Sequence, residues 1–167
     1  IRLRNWHQVS VKDLLKLGKD QLATKNIAPV EAELLLAHAL GINRMELHGR
    51  VIELSSEQTA ETIELYNQAI AERLTGKPTQ YIVGTAPFRY LEYEVGPGVL
   101  IPRPETESLV DEVLHQLNTF ADPVSLVDLG SGTGAIAISI ASETAGKKVV
   151  HVIAVEKSEE AIVWLQK

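Results

Sequence analysis

The 167-residue chain has no cysteine, one methionine and only 5% aromatic residues. Without cysteine there is no disulfide framework, no thiolate metal site and no cysteine nucleophile, which is compatible with a reducing cytoplasm. Long apolar runs are missing as well. The run from Val149 to Val155 is interrupted by His151, and nothing approaches the roughly 20 residues needed to cross a bilayer as a helix. The five histidines (7, 38, 48, 115 and 151) show no metal-ligand spacing and read as surface or interface residues. No Lys-Ser or Lys-Thr follows the glycine-rich stretch, which excludes an ATP P-loop. Ser131 and Ser139 lack the G-x-S-x-G setting of a hydrolase nucleophile.

What remains is an ordinary globular composition, 45% hydrophobic and 23% charged. Residues 1–84 carry 10 Lys+Arg and 10 Asp+Glu, whereas residues 85–167 carry 6 and 12, so the net charge of −6 lies in the second half. That half is a poor candidate for a nucleic-acid groove. The chain starts at Ile1 and ends within a helical pattern at Trp164-Leu165-Gln166-Lys167, which reads as trimming at both ends, with any targeting segment out of view.

The first half reads as about four helices packed as a small bundle. Ser10 with Asp13 resembles a capping box ahead of Val11, Leu14, Leu15 and Leu22 at helical spacing. Pro29 suits the first turn of a second helix, with Val30, Leu34, Leu35, Leu36 and Leu40 as its apolar members and Gly41 as its cap. Asn43 with Glu46 starts a short piece. Ser55 with Gln58 opens a helix carrying Ile63, Tyr66, Ile70 and Leu74, and Gly76-Lys77-Pro78 ends it. Trp6 and Tyr66 read as core residues before docking aromatics. From Phe88 to Val99 the period falls to two, with Glu92 and Glu94 on a wet face and a turn forced by Gly96-Pro97-Gly98: a strand or hairpin joining two domains. An amphipathic helix through Leu109, Val110, Val113, Leu114 and Leu117 follows. Then comes strand (Val124 to Leu129), glycine turn, helix (Ala135 to Ala141) and strand (Val149 to Val155), a βαβ unit with a buried parallel pair. Lys147-Lys148 reads as a solvated turn.

The chemistry concentrates in Asp128-Leu129-Gly130-Ser131-Gly132-Thr133-Gly134 at the carboxyl end of the first parallel strand. Glycines let the chain bend sharply and let a ligand approach the backbone, and the next helix offers its free N–H groups to the same crevice. Glu156 closes the following strand, where it can accept hydrogen bonds from two ribose hydroxyls. These parts describe a site for a nucleoside-bearing cofactor. Gly130, Gly132 and Ala135 also satisfy the G-x-G-x-x-A dinucleotide fingerprint, so NAD stays open on the glycines alone. Asp128 discriminates: its carboxylate repels a pyrophosphate but suits the cationic amino-acid part of S-adenosylmethionine.

Upstream stand Gly76-Lys77-Pro78-Thr79-Gln80-Tyr81-Ile82-Val83-Gly84 and Ile101-Pro102-Arg103-Pro104-Glu105-Thr106-Glu107. The prolines and acidic residues of the second would serve any helix start. Together, in this order and ahead of D-x-G-x-G-x-G, the three motifs resemble those of the HemK/PrmC protein-(glutamine-N5) methyltransferases, and the resemblance covers nearly the whole chain. It implies an α/β architecture: an N-terminal helical bundle at 1–84 that docks substrate, a β-hairpin linker at 85–100, and at 101–167 the start of a Rossmann-like class I S-adenosylmethionine-dependent methyltransferase domain. The implied reaction is methylation of the glutamine side chain in the Gly-Gly-Gln loop of class I peptide chain release factors. The implied cofactor contacts are Asp128 with Gly130, Ser131, Gly132, Thr133 and Gly134 for the methionine part, Glu156 for the ribose, and Thr106 near the cofactor carboxylate. The family's Asn-Pro-Pro-Tyr substrate motif is absent from the 167 residues. The chain therefore reads as the N-terminal part of a longer enzyme, monomeric and cytoplasmic, without catalytic residues of its own and inactive alone. Rival readings are a methyltransferase of ribosomal RNA or a small molecule, a nicotinamide oxidoreductase, and a non-catalytic interaction module.

Overall fold

The computed structural model describes residues 10–49 and 56–167, which form two compact units dividing between Val83 and Gly84. The architecture is mixed α/β, with helices before the boundary and both small sheets after it.

In the first unit, Ser10 opens α1 (Val11–Ala23) with the expected capping box: its Oγ accepts from the Asp13 N–H at 3.2 Å while its own N–H donates to Asp13 Oδ2 at 3.1 Å. Such a cap stabilises a helix by about 1 kcal/mol. Helix α2 (Pro29–Leu40) has proline in its first turn and ends at Gly41, whose φ of 64° suits glycine. Its leucines do not share one face. Leu35 and Leu36 are buried while Val30 and Leu34 are exposed, because 100° per residue cannot turn 34, 35 and 36 toward the same neighbour. Asn43 and Glu46 close the entry to α3 (Glu46–Gly49): the Asn43 N–H donates to Glu46 Oε1 at 3.1 Å. Helix α4 (Ser56–Leu74) follows; the expected cap residue Ser55, like Trp6, lies outside the described residues.

One element is additional. Thr79–Val83 forms a short helix, α5, where the proline had signalled only an ending. Pro78 supplies the carbonyl that accepts from Tyr81 N at 3.0 Å and Ile82 N at 3.2 Å, so the residue that stops α4 also starts α5. Thr79 then donates to Glu31 Oε2, which also takes Arg73 Nε, joining α2, α4 and α5. Burial pushes the Glu31 carboxyl up, but the bonds from Arg73 and Thr79 outweigh it and hold it below the usual range. Glu33 similarly gathers Lys19 (2.7 Å), Arg44 (3.1 Å) and His48 (3.3 Å).

Leu14, Leu22, Leu35, Leu36, Ile63, Tyr66 and Ile70 make the core of this unit, so Tyr66 is the packing residue its spacing suggested. Its hydroxyl is buried without a hydrogen-bond partner, and desolvation pushes its pKa up. The ring fits because position 18 of α1 is glycine: a Cβ there would stand 1.8 Å from the Tyr66 oxygen.

The second unit begins with a hairpin, β1 (Thr85–Phe88) and β2 (Leu91–Glu94), antiparallel with Thr85 opposite Glu94 and Phe88 opposite Leu91. Its turn falls at Arg89-Tyr90, and a second turn follows at Gly96-Pro97-Gly98 as expected, where the Val99 N–H donates to the Gly96 carbonyl at 3.4 Å and Gly98 takes a φ of 97°. Arg89 adopts a left-handed φ of 53°, ordinarily left to glycine or asparagine. Side-chain bonds hold it there: the guanidinium pairs with both oxygens of Glu143, with Asp111 at 2.7 Å and with the Glu107 carbonyl at 3.2 Å. Phe88 and Tyr93 pack edge to face in the core of this unit, and Glu92 and Glu94 are exposed as expected.

A 3₁₀ turn at Pro104–Thr106 leads into α6 (Glu107–Leu117), then β3 (Val124–Leu129), α7 (Ala135–Thr144), β4 (Val150–Val155) and α8 (Glu159–Leu165). Strands β3 and β4 pair in parallel, Val124 opposite Val150 through Leu129 opposite Val155. The pair is not buried on both faces as expected. One face packs on the core of this unit; on the other, Val127 (53%), Leu129 (77%), Ile153 (52%) and Val155 (44%) are exposed. Lys148 departs from the solvated reading too, donating to the Phe120 carbonyl at 2.8 Å and pairing with Asp122 at 2.6 Å. Helix α8 starts at Ser158, whose side chain caps it by accepting from Ala161 N.

Gly18→Ala forces the α1 Cβ into Tyr66 and should destabilise the protein by about 1–3 kcal/mol. Tyr66→Phe removes only an unpaired hydroxyl and should leave stability unchanged or slightly higher. Urea midpoints of the two variants measure both; a midpoint for Tyr66→Phe well below wild type would mean the hydroxyl has a partner.

Candidate functional site

Strands β3 and β4 end side by side, Leu129 opposite Val155, and the chain leaves each toward the same end of the sheet. After β3 come three glycines in left-handed backbone, Gly130 (φ 77°), Gly132 (φ 56°) and Gly134 (φ 77°), the last being the residue before α7. Residues with a Cβ resist this conformation, which is why every second position of the turn is glycine. Space is uneven along it. A Cβ on Gly130 would meet nothing within 4 Å, whereas one on Gly134 would stand 2.6 Å from Leu165 Cδ1. Gly130 is thus the open approach and Gly134 the close helix contact.

Most amides of the turn are already engaged. Gly130 N and Ser131 N donate to the Val155 carbonyl at 2.7 and 3.1 Å, and Gly134 N donates to the Ser131 carbonyl at 2.7 Å. Gly132 N donates to Glu156 Oε2 at 2.8 Å. The other oxygen of Glu156 accepts from Lys157 N at 2.7 Å and Ser158 N at 2.8 Å. These bonds, from Ser158 first and then Gly132 and Lys157, hold the Glu156 carboxyl below the usual glutamate range. Glu156 thus stands at the expected strand end, bound to the glycine turn by its own charge.

Asp128 is two residues before Gly130, on β3, opposite Ala154. Its Oδ2 is buried and has no hydrogen-bond partner. An unpaired carboxylate oxygen out of water is costly, and a donor brought by a ligand would relieve that cost. Of the other expected contacts, Ser131 and Thr133 are buried, so the turn offers a ligand its backbone before their side chains. Thr106 ends the 3₁₀ turn before α6, half-buried, and its side chain caps no N–H of that helix.

Neighbouring segments brace the site. Val99 is buried, and a Cβ on Gly132 would lie 3.8 Å from it. Gly96 and Gly98 admit α8: Cβ atoms there would stand 2.4 Å from Trp164 and 2.8 Å from Glu160, and Trp164 Nε1 donates to the Pro97 carbonyl at 3.2 Å. The turn at Gly96-Pro97-Gly98 is thus also the bed on which α8 lies. A cavity of about 490 Å³ lies elsewhere, between α6 and the start of β3, lined by Val113, Leu117, Phe120, Pro123, Val124 and Leu126. Among the described residues no group of His, Cys, Asp or Glu could hold a metal ion, and no helix is long and apolar enough to cross a membrane. His38, His48, His115 and His151 are exposed.

Residues 13–84 match the family model of the PrmC N-terminal domain. The chain is 37% identical over 161 residues to the release factor glutamine methyltransferase of Bifidobacterium longum, covering 94% of this chain and 53% of that protein. It is 42% identical over 162 residues to that of Mycolicibacterium smegmatis, covering 96% and 52%. With the Streptomyces coelicolor enzyme of the same name it shares 40% over 139 residues, covering 82% and 46%. The chain spans about half the length of the curated relatives it matches. Residues 13–84 are therefore similar to the PrmC N-terminal domain, and the chain is similar to the release factor glutamine methyltransferases over most of its own length.

Proposed function

We propose that the chain supplies the cofactor-binding and substrate-docking parts of an S-adenosylmethionine-dependent methyltransferase whose target is the glutamine side chain in the Gly-Gly-Gln loop of a class I release factor. The observation that carries the cofactor half is the buried, unpartnered Asp128 oxygen beside the open approach at Gly130. The substrate half rests on the relatives named above. In this reading residues 1–84 dock the release factor, 85–100 form a hairpin linker, and 101–167 begin a Rossmann-like catalytic domain. The exposed apolar face of β3 and β4 and the groove beside β3 support a larger, doubly wound sheet, in which both faces are covered.

The residues fit this cofactor and fit NAD poorly. Asp128 can accept from the ammonium of the methionine part, directly or through water, and Gly130 lets that part reach the backbone. Glu156 has one oxygen with a single amide donor, leaving a lone pair for a ribose hydroxyl. Thr106 would stand near the cofactor carboxylate. A pyrophosphate would need the amides of Gly130, Ser131, Gly132 and Gly134, which are engaged, and would meet the charge of Glu156. S-adenosylmethionine supplies an activated methyl group, so the protein's remaining task is to orient the target. An amide nitrogen is a poor nucleophile, and acceptors on its hydrogens would align its lone pair and stabilise the charge that develops there. A ribosomal RNA target is disfavoured by the excess of carboxylates in residues 85–167.

Calorimetry on the full-length protein should give binding of S-adenosylmethionine and none of NAD. Asp128→Asn should weaken that binding about tenfold or more, as loss of a charged acceptor does. Unchanged affinity would mean that Asp128 does not hold the cofactor.

The lowered pKa of Glu156 gives a pH dependence of definite sign. Its carboxylate stabilises the turn above the unfolded-state pKa, and that contribution is lost as the pH falls through the lower folded-state value. The Gly132 amide shift, followed by NMR, should therefore titrate below the usual glutamate value of about 4.3. A midpoint at or above it would contradict the three-amide arrangement.

With a class I release factor, the full-length protein should transfer methyl to the wild-type Gly-Gly-Gln loop and not to its Gln→Ala variant. Equal incorporation into both would remove the glutamine assignment.

A further inference from the structure

We infer that Ser131 is a positioning residue that ties the two strand ends together so that Asp128 and Glu156 act on one ligand; the inference rests on the cofactor reading above. The Ser131 side chain is turned into the sheet. Its Oγ accepts from the Val155 N–H at 3.1 Å and donates to the Asp128 carbonyl at 3.0 Å. One hydroxyl is therefore bonded to the main chain of the residue carrying the first carboxylate and to the residue just before the second. The residue is 8% exposed, so it is packed inside the turn and not presented to the crevice.

The position matters because β3 and β4 are the only strands in their sheet among the described residues. Past Leu129 and Val155 no further residues pair, and the gap is closed by Ser131: its N–H and that of Gly130 on the Val155 carbonyl, and its hydroxyl across both chains. Alanine at 131 would take the hydroxyl from the Val155 N–H, leaving it only the Asp128 carbonyl that the parallel register sets against it, and would let the strand ends relax in the free protein. A ligand that reaches both carboxylates would then have to gather them, losing the benefit of preorganisation. A ligand that meets only one carboxylate would not.

The test uses full-length wild type, Ser131→Ala and Ser131→Thr, titrated with S-adenosylhomocysteine, which spans both carboxylates, and with adenosine, which reaches only the Glu156 side. We expect Ser131→Ala to lower affinity for S-adenosylhomocysteine about tenfold, corresponding to loss of one or two main-chain bonds. Adenosine affinity should change less than about twofold on the same argument, and Ser131→Thr, which keeps the hydroxyl, should restore S-adenosylhomocysteine binding. Without any ligand, the Val155 amide should exchange with solvent faster in Ser131→Ala than in wild type. If Ser131→Ala does not fold, Ser131→Cys, with a weaker acceptor, should show the same ordering of the two ligands. Wild-type affinity for S-adenosylhomocysteine in the alanine or cysteine variant overturns the proposal, as does an equal proportional loss for both ligands, which is the signature of a general structural role. Failure of wild type itself to bind S-adenosylhomocysteine would instead overturn the cofactor reading, and this one with it.

Discussion

Two parallel strands, paired only with each other among the described residues, must keep their carboxyl ends together if they are to present a ligand site, and a short bundle of hydrogen bonds does this. The Val155 carbonyl takes two amides from the glycine turn, and Glu156 takes one more from Gly132 and two from the entry to α8. The left-handed glycines are needed because only that backbone turns those amides inward while leaving Gly130 open on the other side. Most amides of the turn are therefore occupied in building its shape. The Asp128 Oδ2, by contrast, is buried without a donor.

The pieces around this turn are fastened by a second set of contacts, centred on Arg89. From the tip of the hairpin it reaches α7, which follows the glycine turn, and α6, which follows the Pro104–Thr106 segment. One guanidinium thus relates two helices whose starts lie next to the candidate cofactor contacts. Its planar fork suits this better than a lysine ammonium would, since it meets both oxygens of Glu143 and still has donors for Asp111 and the Glu107 carbonyl.

Elements with local chemical signals were legible from the sequence: the Ser10 capping box, Pro29 and Gly41 around α2, the period-two stretch of β2, and the strand-turn-helix of the glycine motif. The places of Asp128 and Glu156 at the strand ends were legible for the same reason, since each stands at a fixed offset from a strand end. What was not legible depends on partners far along the chain. Nothing near Arg89 announces a hairpin turn, because the residues that make a left-handed arginine tolerable are at 111 and 143. Gly96 and Gly98 carry a turn signal that the structure bears out, but nothing nearby in the sequence shows that the same two glycines also admit Trp164 and Glu160. The apolar runs of β3 and β4 suggested burial on both sides, but periodicity reports only that a face is apolar and not whether something covers it. Ser131 sits inside a ligand motif, and only the structure turns its side chain away from the crevice.

The contact between Gly18 and Tyr66 reaches beyond the stability of one molecule. The two positions lie on different helices, and the room that the ring occupies exists only because the other position has no side chain. Neither can drift alone: a larger residue at 18 is admissible only after 66 has shrunk, and a smaller residue at 66 opens a hole that a larger one at 18 could fill. Across descendants of a common ancestor, the two sites should therefore change in concert, with their combined volume held nearly constant.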